Sequence, residues 1–186
     1  MKKIKKQSES VVPCVTRRRF LMASGGVTAT SMILSALPGM VGELHAEVVE
    51  YPRKKIAKLS DLKPDTPFNF NYPDKDPLHS FSFLVKLGAP AGGGVGADKD
   101  IVAFSALCSH MGGMLAGGYR GEDKIAGPCP LHLTTFDLTK HGMVVAGHAT
   151  ESLPQVVLDL KGDDIYATGI LGLIYGKRDN LDLSPA

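Results

Sequence analysis

Apolar residues occur in short runs from residue 78 onward, separated by turns rich in glycine, proline and aspartate. Residues 78–87 (LHSFSFLVKL) partly alternate between polar and apolar positions, and Ile101–Phe104 form an apolar run. Both patterns are typical of β-strands. Gln155–Leu160 and Asp164–Thr168 flank the turn sequence Lys-Gly-Asp and predict a β-hairpin. Shorter strands are predicted at residues 124–126, 136–137 and 143–146.

These short, closely spaced strands predict an all-β domain, with an antiparallel sandwich or barrel-like architecture. Residues 51–77 contain several prolines, which exclude a long helix and predict turns, one of them at Leu59–Leu62. The glycine-rich run 88–100 is predicted to be a flexible loop. No helix follows it that could bind a phosphate at its N-terminus.

Positive charge is concentrated at the N-terminus. Seven of the 21 Lys and Arg residues precede residue 47, whereas the rest of the chain has 14 basic and 17 acidic residues, a net charge of −3. A mildly acidic body argues against nucleic-acid binding, which requires a basic face. Residues 16–21 (TRRRFL) and the moderately apolar run after them are typical of a twin-arginine export signal, which carries folded proteins.

We therefore predict that residues 1–46 are a leader and that residues 47–186 form the exported, periplasmic domain. The leader is either cleaved or retained as a membrane anchor, because its apolar run approaches the roughly 20 residues that a membrane span needs. Contact with the membrane is expected only if the leader is retained.

The residues with the most distinctive chemistry lie between positions 108 and 132. Cys108-Ser-His110 and Cys129-Pro-Leu-His132 are separated by eighteen residues of glycine-rich sequence, so each cluster is predicted at a loop tip. Two thiolates and two imidazoles can ligate zinc, or a [2Fe–2S] cluster in which two His replace two Cys on one iron. Structural zinc sites usually pair Cys with Cys and His with His. Here each loop supplies one of each, which favours the cluster.

This arrangement resembles the Rieske iron–sulfur proteins, and the resemblance covers most of the chain after residue 100. It implies one [2Fe–2S] cluster per chain, with Cys108 and Cys129 on the inner iron and His110 and His132 on the outer, solvent-facing iron. It also implies a Rieske-type β-fold whose cluster-binding part spans about residues 104–154, with a third, capping loop near residues 147–153.

Four positions depart from the pattern of high-potential Rieske proteins. Gly113 and Leu131 stand where those proteins have two further cysteines, so the disulfide of that group cannot form. Thr134 and Phe136 stand where a Ser and a Tyr donate hydrogen bonds to the cluster sulfurs. Thr134 keeps a hydroxyl, whereas Phe136 has no donor.

Residues 101–113 and 153–181 resemble the small subunit of arsenite oxidase more closely than Rieske proteins in general. That resemblance implies a heterodimer with a large molybdopterin-containing subunit that oxidises arsenite. This chain would then pass electrons to a cytochrome c or a small, azurin-like copper protein. The alternatives are the Rieske subunit of a related iodate reductase, a Rieske ferredoxin of an oxygenase system, and a zinc-stabilised exported binding module.

Overall fold

Residues 50–181, the part of the chain that the computed structural model describes, form ten β-strands in two antiparallel sheets. In chain order the strands are β1 (Lys54–Lys58), β2 (Phe68–Asn71), β3 (Phe81–Lys86), β4 (Ile101–Ser105), β5 (Tyr119–Arg120), β6 (Ile125–Ala126), β7 (Thr135–Asp137), β8 (Met143–Ala146), β9 (Gln155–Lys161) and β10 (Asp164–Leu171). The base sheet has the order β1-β10-β9-β4-β3-β2, and the small sheet has the order β5-β6-β7-β8. A three-residue 3-10 turn, Leu59–Asp61, follows β1.

The predicted all-β fold is confirmed, and the strands predicted from residue 78 onward form β3, β4 and β6 to β10. Three further strands, β1, β2 and β5, were not predicted. The predicted leader and the boundary at residue 47 lie outside the described residues. No helix within residues 50–181 is long and apolar enough to cross a membrane.

Strand β4 separates two hydrophobic cores, which explains why all five of its residues are buried. Because side chains alternate along a strand, Val102 and Phe104 enter one core, and Ile101 and Ala103 enter the other. The first of these cores continues into the small sheet, where Phe136 is fully buried. The two sheets are therefore joined by one continuous apolar contact.

Polar contacts at Asp65 also hold the small sheet against the base sheet. The Asp65 carboxylate, in the loop between β1 and β2, accepts a hydrogen bond of 2.6 Å from the Tyr119 hydroxyl. It also accepts bonds of 2.8 and 3.0 Å from the ammonium group of Lys124. The bond from Lys124, and after it the bond from Tyr119, lower the pKa of Asp65.

We expect the contribution of Asp65 to stability to disappear in acid. A carboxylate whose pKa is lower in the folded chain stabilises the fold above its ordinary value of 3.8, and this stabilisation is lost as the pH falls through the lowered pKa. Asp65→Asn should therefore lower the midpoint of thermal unfolding near neutral pH, and the difference from wild type should shrink below about pH 4. Circular dichroism melts across this pH range measure the difference.

The matched control is Asp123→Asn, which removes an exposed carboxylate from the turn between β5 and β6. It should leave the midpoint almost unchanged. Equal effects of the two substitutions, or a difference for Asp65→Asn that does not depend on pH, would contradict the proposed tether.

Candidate metal centre

The first of the two predicted ligand loops leaves the base sheet at the end of β4. The Cys108 N–H donates to the Gly113 carbonyl at 2.9 Å, and the Gly112 N–H donates to the Cys108 carbonyl at 2.9 Å. These two bonds close a tight loop with Cys108 at its base. Gly112 has a φ of +67°, a conformation that glycine adopts without the strain a side chain brings.

The second ligand loop, between β6 and β7, repeats the same backbone pattern. The Cys129 N–H donates to the Thr134 carbonyl at 2.8 Å, and the Leu133 N–H donates to the Cys129 carbonyl at 2.9 Å. Leu133 has a φ of +60° and so occupies the position that Gly112 occupies in the first loop. The two loops are therefore structural equivalents, each with a Cys at its base.

The four predicted ligand residues lie together as two chemically distinct pairs. Cys108 and Cys129 are buried, free thiols next to each other at one end of the core. The rings of His110 and His132 have their centroids 4.7 Å apart and are nearly perpendicular. His110 is half-buried and His132 is exposed. Sulfur therefore faces the protein interior and imidazole faces the solvent.

The surroundings of the thiols suit metal ligation. Burial is the main cause that raises the pKa of Cys108. The backbone N–H of His110 opposes this rise, and the adjacent Cys129 thiol adds to it. A bound metal ion stabilises the thiolate that burial otherwise disfavours.

A [2Fe–2S] group fits this donor set, since each of its two irons takes two protein ligands of one kind. Among residues 50–181, no three His, Cys, Asp or Glu side chains are grouped around one metal position.

The two predicted neighbours of the cluster, Thr134 and Phe136, are both fully buried. The Thr134 hydroxyl accepts a hydrogen bond of 3.2 Å from the backbone N–H of His148, which ties the second loop to residues 147–153. Phe136 packs in the same core as both cysteines. The ring has no hydrogen-bond donor to offer in this core.

Gly113 and Leu131 lie opposite each other across the two loops. A Cβ atom added at Gly113 would stand 3.1 Å from Leu131 Cγ and 2.5 Å from the Cys129 sulfur. The positions to which the resemblance assigns a disulfide are thus neighbours in space. Glycine at position 113 leaves room for the Cys129 thiol, which a larger residue would displace.

The third loop, residues 147–153, contributes contacts that the sequence did not reveal. The His148 ring lies 5.8 Å from His110 and 6.2 Å from His132, measured between centroids. Ser109 in the first loop donates to the Glu151 carbonyl at 2.7 Å. The third loop is therefore bonded to both ligand loops, although it lacks prolines at Ala149 and Thr150.

His141 belongs to a different network. Its Nδ1 lies 2.7 Å from Gln155 Oε1, and the Gln155 amide donates to the Gly92 carbonyl at 2.8 Å. This network joins the loop before β8 to the glycine-rich loop before β4.

Comparison with known proteins identifies the class to which this fold and site belong. Residues 53–157 match the family model of the Rieske [2Fe–2S] domain. The chain belongs to the Rieske family, and its cofactor is a Rieske [2Fe–2S] cluster. The resemblance to Rieske proteins drawn from the sequence is confirmed.

Two relatives are similar to this chain over about nine-tenths of its length. The iodate reductase subunit IdrB of Pseudomonas sp. (strain SCT) is 56% identical over 173 residues, which are 93% of this chain and 88% of that protein. IdrB of Denitromonas iodatirespirans is 55% identical over 168 residues, which are 90% and 87% of the two chains. Among solved structures, the soluble domain of Rieske protein II (soxF) from Sulfolobus acidocaldarius superposes with a TM-score of 0.57 at 26% identity. The superposition covers 64% of this chain and 78% of the soxF domain.

Proposed function

We propose that this chain is the electron-transfer subunit of an iodate reductase of the molybdopterin type. The observation that carries the proposal is the pair of equivalent loops, which place two thiols in the core and two imidazoles at the surface. Such a site can hold a redox cluster whose outer ligands face other proteins. The oxyanion would bind to a separate, large catalytic subunit.

In this proposal Cys108 and Cys129 ligate the inner iron, and His110 and His132 ligate the outer iron. The cluster, when bound, supplies a one-electron couple within the Rieske range of roughly −150 to +300 mV. The residues of this chain hold it by burying the thiols and by directing backbone N–H groups at the sulfur of Cys108. Hydrogen bonds and burial of this kind are the means by which a protein sets a cluster potential.

The surface around the two imidazoles suits a redox partner. Leu131 and Leu133 are 55% and 66% exposed on either side of His132, and Met111 is 52% exposed beside His110. Apolar side chains of this kind exclude water when another protein docks, which brings the partner's redox centre close to the exposed imidazole. A cytochrome c or an azurin-like copper protein is the proposed second partner, delivering electrons to this chain.

Similarity to two relatives favours iodate over arsenite as the substrate of the proposed complex. Both relatives that cover about nine-tenths of this chain are named iodate reductase subunits, and each is more than half identical to it. Arsenite oxidation would run electrons in the opposite direction through the same site, so the geometry of this chain serves either reaction.

Loss of a single predicted ligand should abolish the cluster. Cys108→Ser or His132→Ala leaves one iron with a missing ligand, and we expect no Rieske electron paramagnetic resonance signal and a loss of iron from about two atoms per chain toward none. The matched control is His148→Ala, since His148 lies beside both ligand imidazoles. It should keep the signal. A normal signal in Cys108→Ser, or zinc in place of iron in the wild type, would contradict the assignment.

The purified complex with its catalytic subunit should distinguish the two substrates. Adding iodate to the chemically reduced complex is expected to remove the signal of the reduced Rieske cluster, because electrons leave toward the oxyanion. Adding arsenite to the oxidised complex should produce no signal. This chain without its partner is the control and should respond to either reagent far more slowly. A signal produced by arsenite would instead support arsenite oxidation.

We also propose export to the periplasm by the twin-arginine route, based on residues 16–21. Replacing both Arg17 and Arg18 with Lys should leave the cluster-containing chain in the cytoplasm, together with a catalytic partner that lacks its own leader. Cell fractionation followed by the Rieske signal measures this. Exchanging Lys5 and Lys6 for Arg is the matched control and should not change the distribution. Undiminished periplasmic signal in the Arg17 and Arg18 variant would reject the export signal.

A further inference from the structure

The chain continues beyond the Rieske match, which ends at residue 157, into β10 and a structured C-terminal arm, residues 172–181. Ile174 of the arm is only 1% exposed. The Asn180 side chain accepts a bond of 2.9 Å from the Ile174 N–H and donates one of 2.8 Å to the Gly172 carbonyl. It also donates to the Tyr51 hydroxyl at 3.1 Å. These bonds fold the arm back on itself and attach its end to Tyr51, just before β1.

A nearly buried ion pair fixes the middle of the arm. The Lys177 ammonium group lies 2.5 Å from the Asp74 carboxylate, with side chains only 8% and 18% exposed. It also donates to the Ser80 hydroxyl at 3.4 Å. The pair therefore ties the arm at Lys177 to the loop between β2 and β3.

Between these anchors, the Tyr175 ring lies directly against Gly112 of the first ligand loop. A Cβ atom at position 112 would overlap ring atoms Cδ1 and Cε1 of Tyr175. The equivalent residue of the second loop, Leu133, has the same backbone conformation but is 66% exposed. The arm therefore covers the turn of the first loop, whereas the turn of the second loop is open to solvent.

We propose that Tyr175 is a positioning residue for the His110 ligand, a role that rests on the proposed function of the ligand loops. Gly112 and Gly113 are consecutive glycines, the residues with the greatest backbone freedom. The Tyr175 ring restricts the turn that they form, two residues after His110. Restricting this turn keeps the His110 imidazole in place, which slows loss of the cluster and keeps its ligand geometry uniform.

Removing the Tyr175 ring would enlarge an open groove that the ring lines. Tyr175 is 38% exposed, and an open groove of about 620 Å³ runs beside it, lined in part by Ser109, Glu151 and Leu173. A smaller residue at position 175 would leave the loop facing this groove, because the surrounding structure relaxes only partly around a lost side chain.

The test compares full-length, cluster-containing chains with Tyr175→Ala, Tyr175→Phe and Leu173→Ala. Loss of visible absorbance in the presence of an iron chelator gives the rate of cluster release, and electron paramagnetic resonance gives the line width and g-values. Tyr175→Ala should release the cluster about tenfold faster, the ratio that roughly 1.4 kcal/mol of lost packing produces. Its resonance lines should broaden as the His110 geometry becomes heterogeneous.

Tyr175→Phe should behave as wild type, because the ring and not the hydroxyl contacts Gly112. Leu173→Ala removes a residue of the same arm that is 53% exposed, and it should also behave as wild type. If Tyr175→Ala does not fold, Tyr175→Leu replaces it. We expect Tyr175→Leu to have the release rate and line width given above for Tyr175→Ala, and the melting temperature of the wild type.

A release rate and spectrum of Tyr175→Ala equal to those of wild type would overturn the positioning role and leave the proposed function intact. An altered spectrum in Tyr175→Phe would also overturn it, since the hydroxyl would then be the active group. A wild-type chain without any Rieske signal would instead overturn the proposed function and this inference with it.

Discussion

The site depends on one repeated backbone constraint, the two hydrogen bonds that close each ligand loop on its own cysteine. Because the N–H and the carbonyl of Cys108 and of Cys129 are both used within the loop, each cysteine is fixed at the base, where its thiol joins the core. The histidines then fall on the outer side of the turn. Burial of sulfur and exposure of imidazole thus follow from loop closure, and the other contacts of the two loops add to it.

In the base sheet, sequence patterns predicted the four inner strands and missed the two edge strands. Strands β3 and β4 lie inside the sheet and are mostly buried, and their apolar residues make them conspicuous in the sequence. Strands β1 and β2 are its two edges. β1 has the sequence KKIAK, and β2 is preceded by Pro67 and followed by Pro73. Lysine and flanking proline protect an edge strand from pairing with other chains. The same residues interrupt the apolar pattern by which strands are predicted, so the two edge strands were missed.

At the candidate site, features that are local in the sequence were predicted, and contacts between residues distant in the sequence were not. The spacing of Cys and His within each short cluster indicates two loops, since those residues are adjacent in the chain. The contacts between Ser109 and Glu151, and between Gly112 and Tyr175, join residues 42 and 63 positions apart. No periodicity encodes such pairs. In the sequence, the consecutive glycines at 112 and 113 suggest a tight turn or a close contact with the backbone. The fold identifies these contacts as the Tyr175 ring at Gly112 and the Cys129 thiol at Gly113.

Electron transfer makes two demands on the ligands that conflict with each other. Ligand geometry should change little between oxidation states, which favours a covered loop, yet a partner must come close, which favours an exposed one. The two equivalent loops separate these demands, because the C-terminal arm covers the turn that follows His110 while His132 stands between two exposed leucines. The difference between Gly112 and Leu133 at the same backbone position follows from this division. Only glycine leaves room for the Tyr175 ring, whereas the open loop has an exposed leucine at the equivalent backbone position.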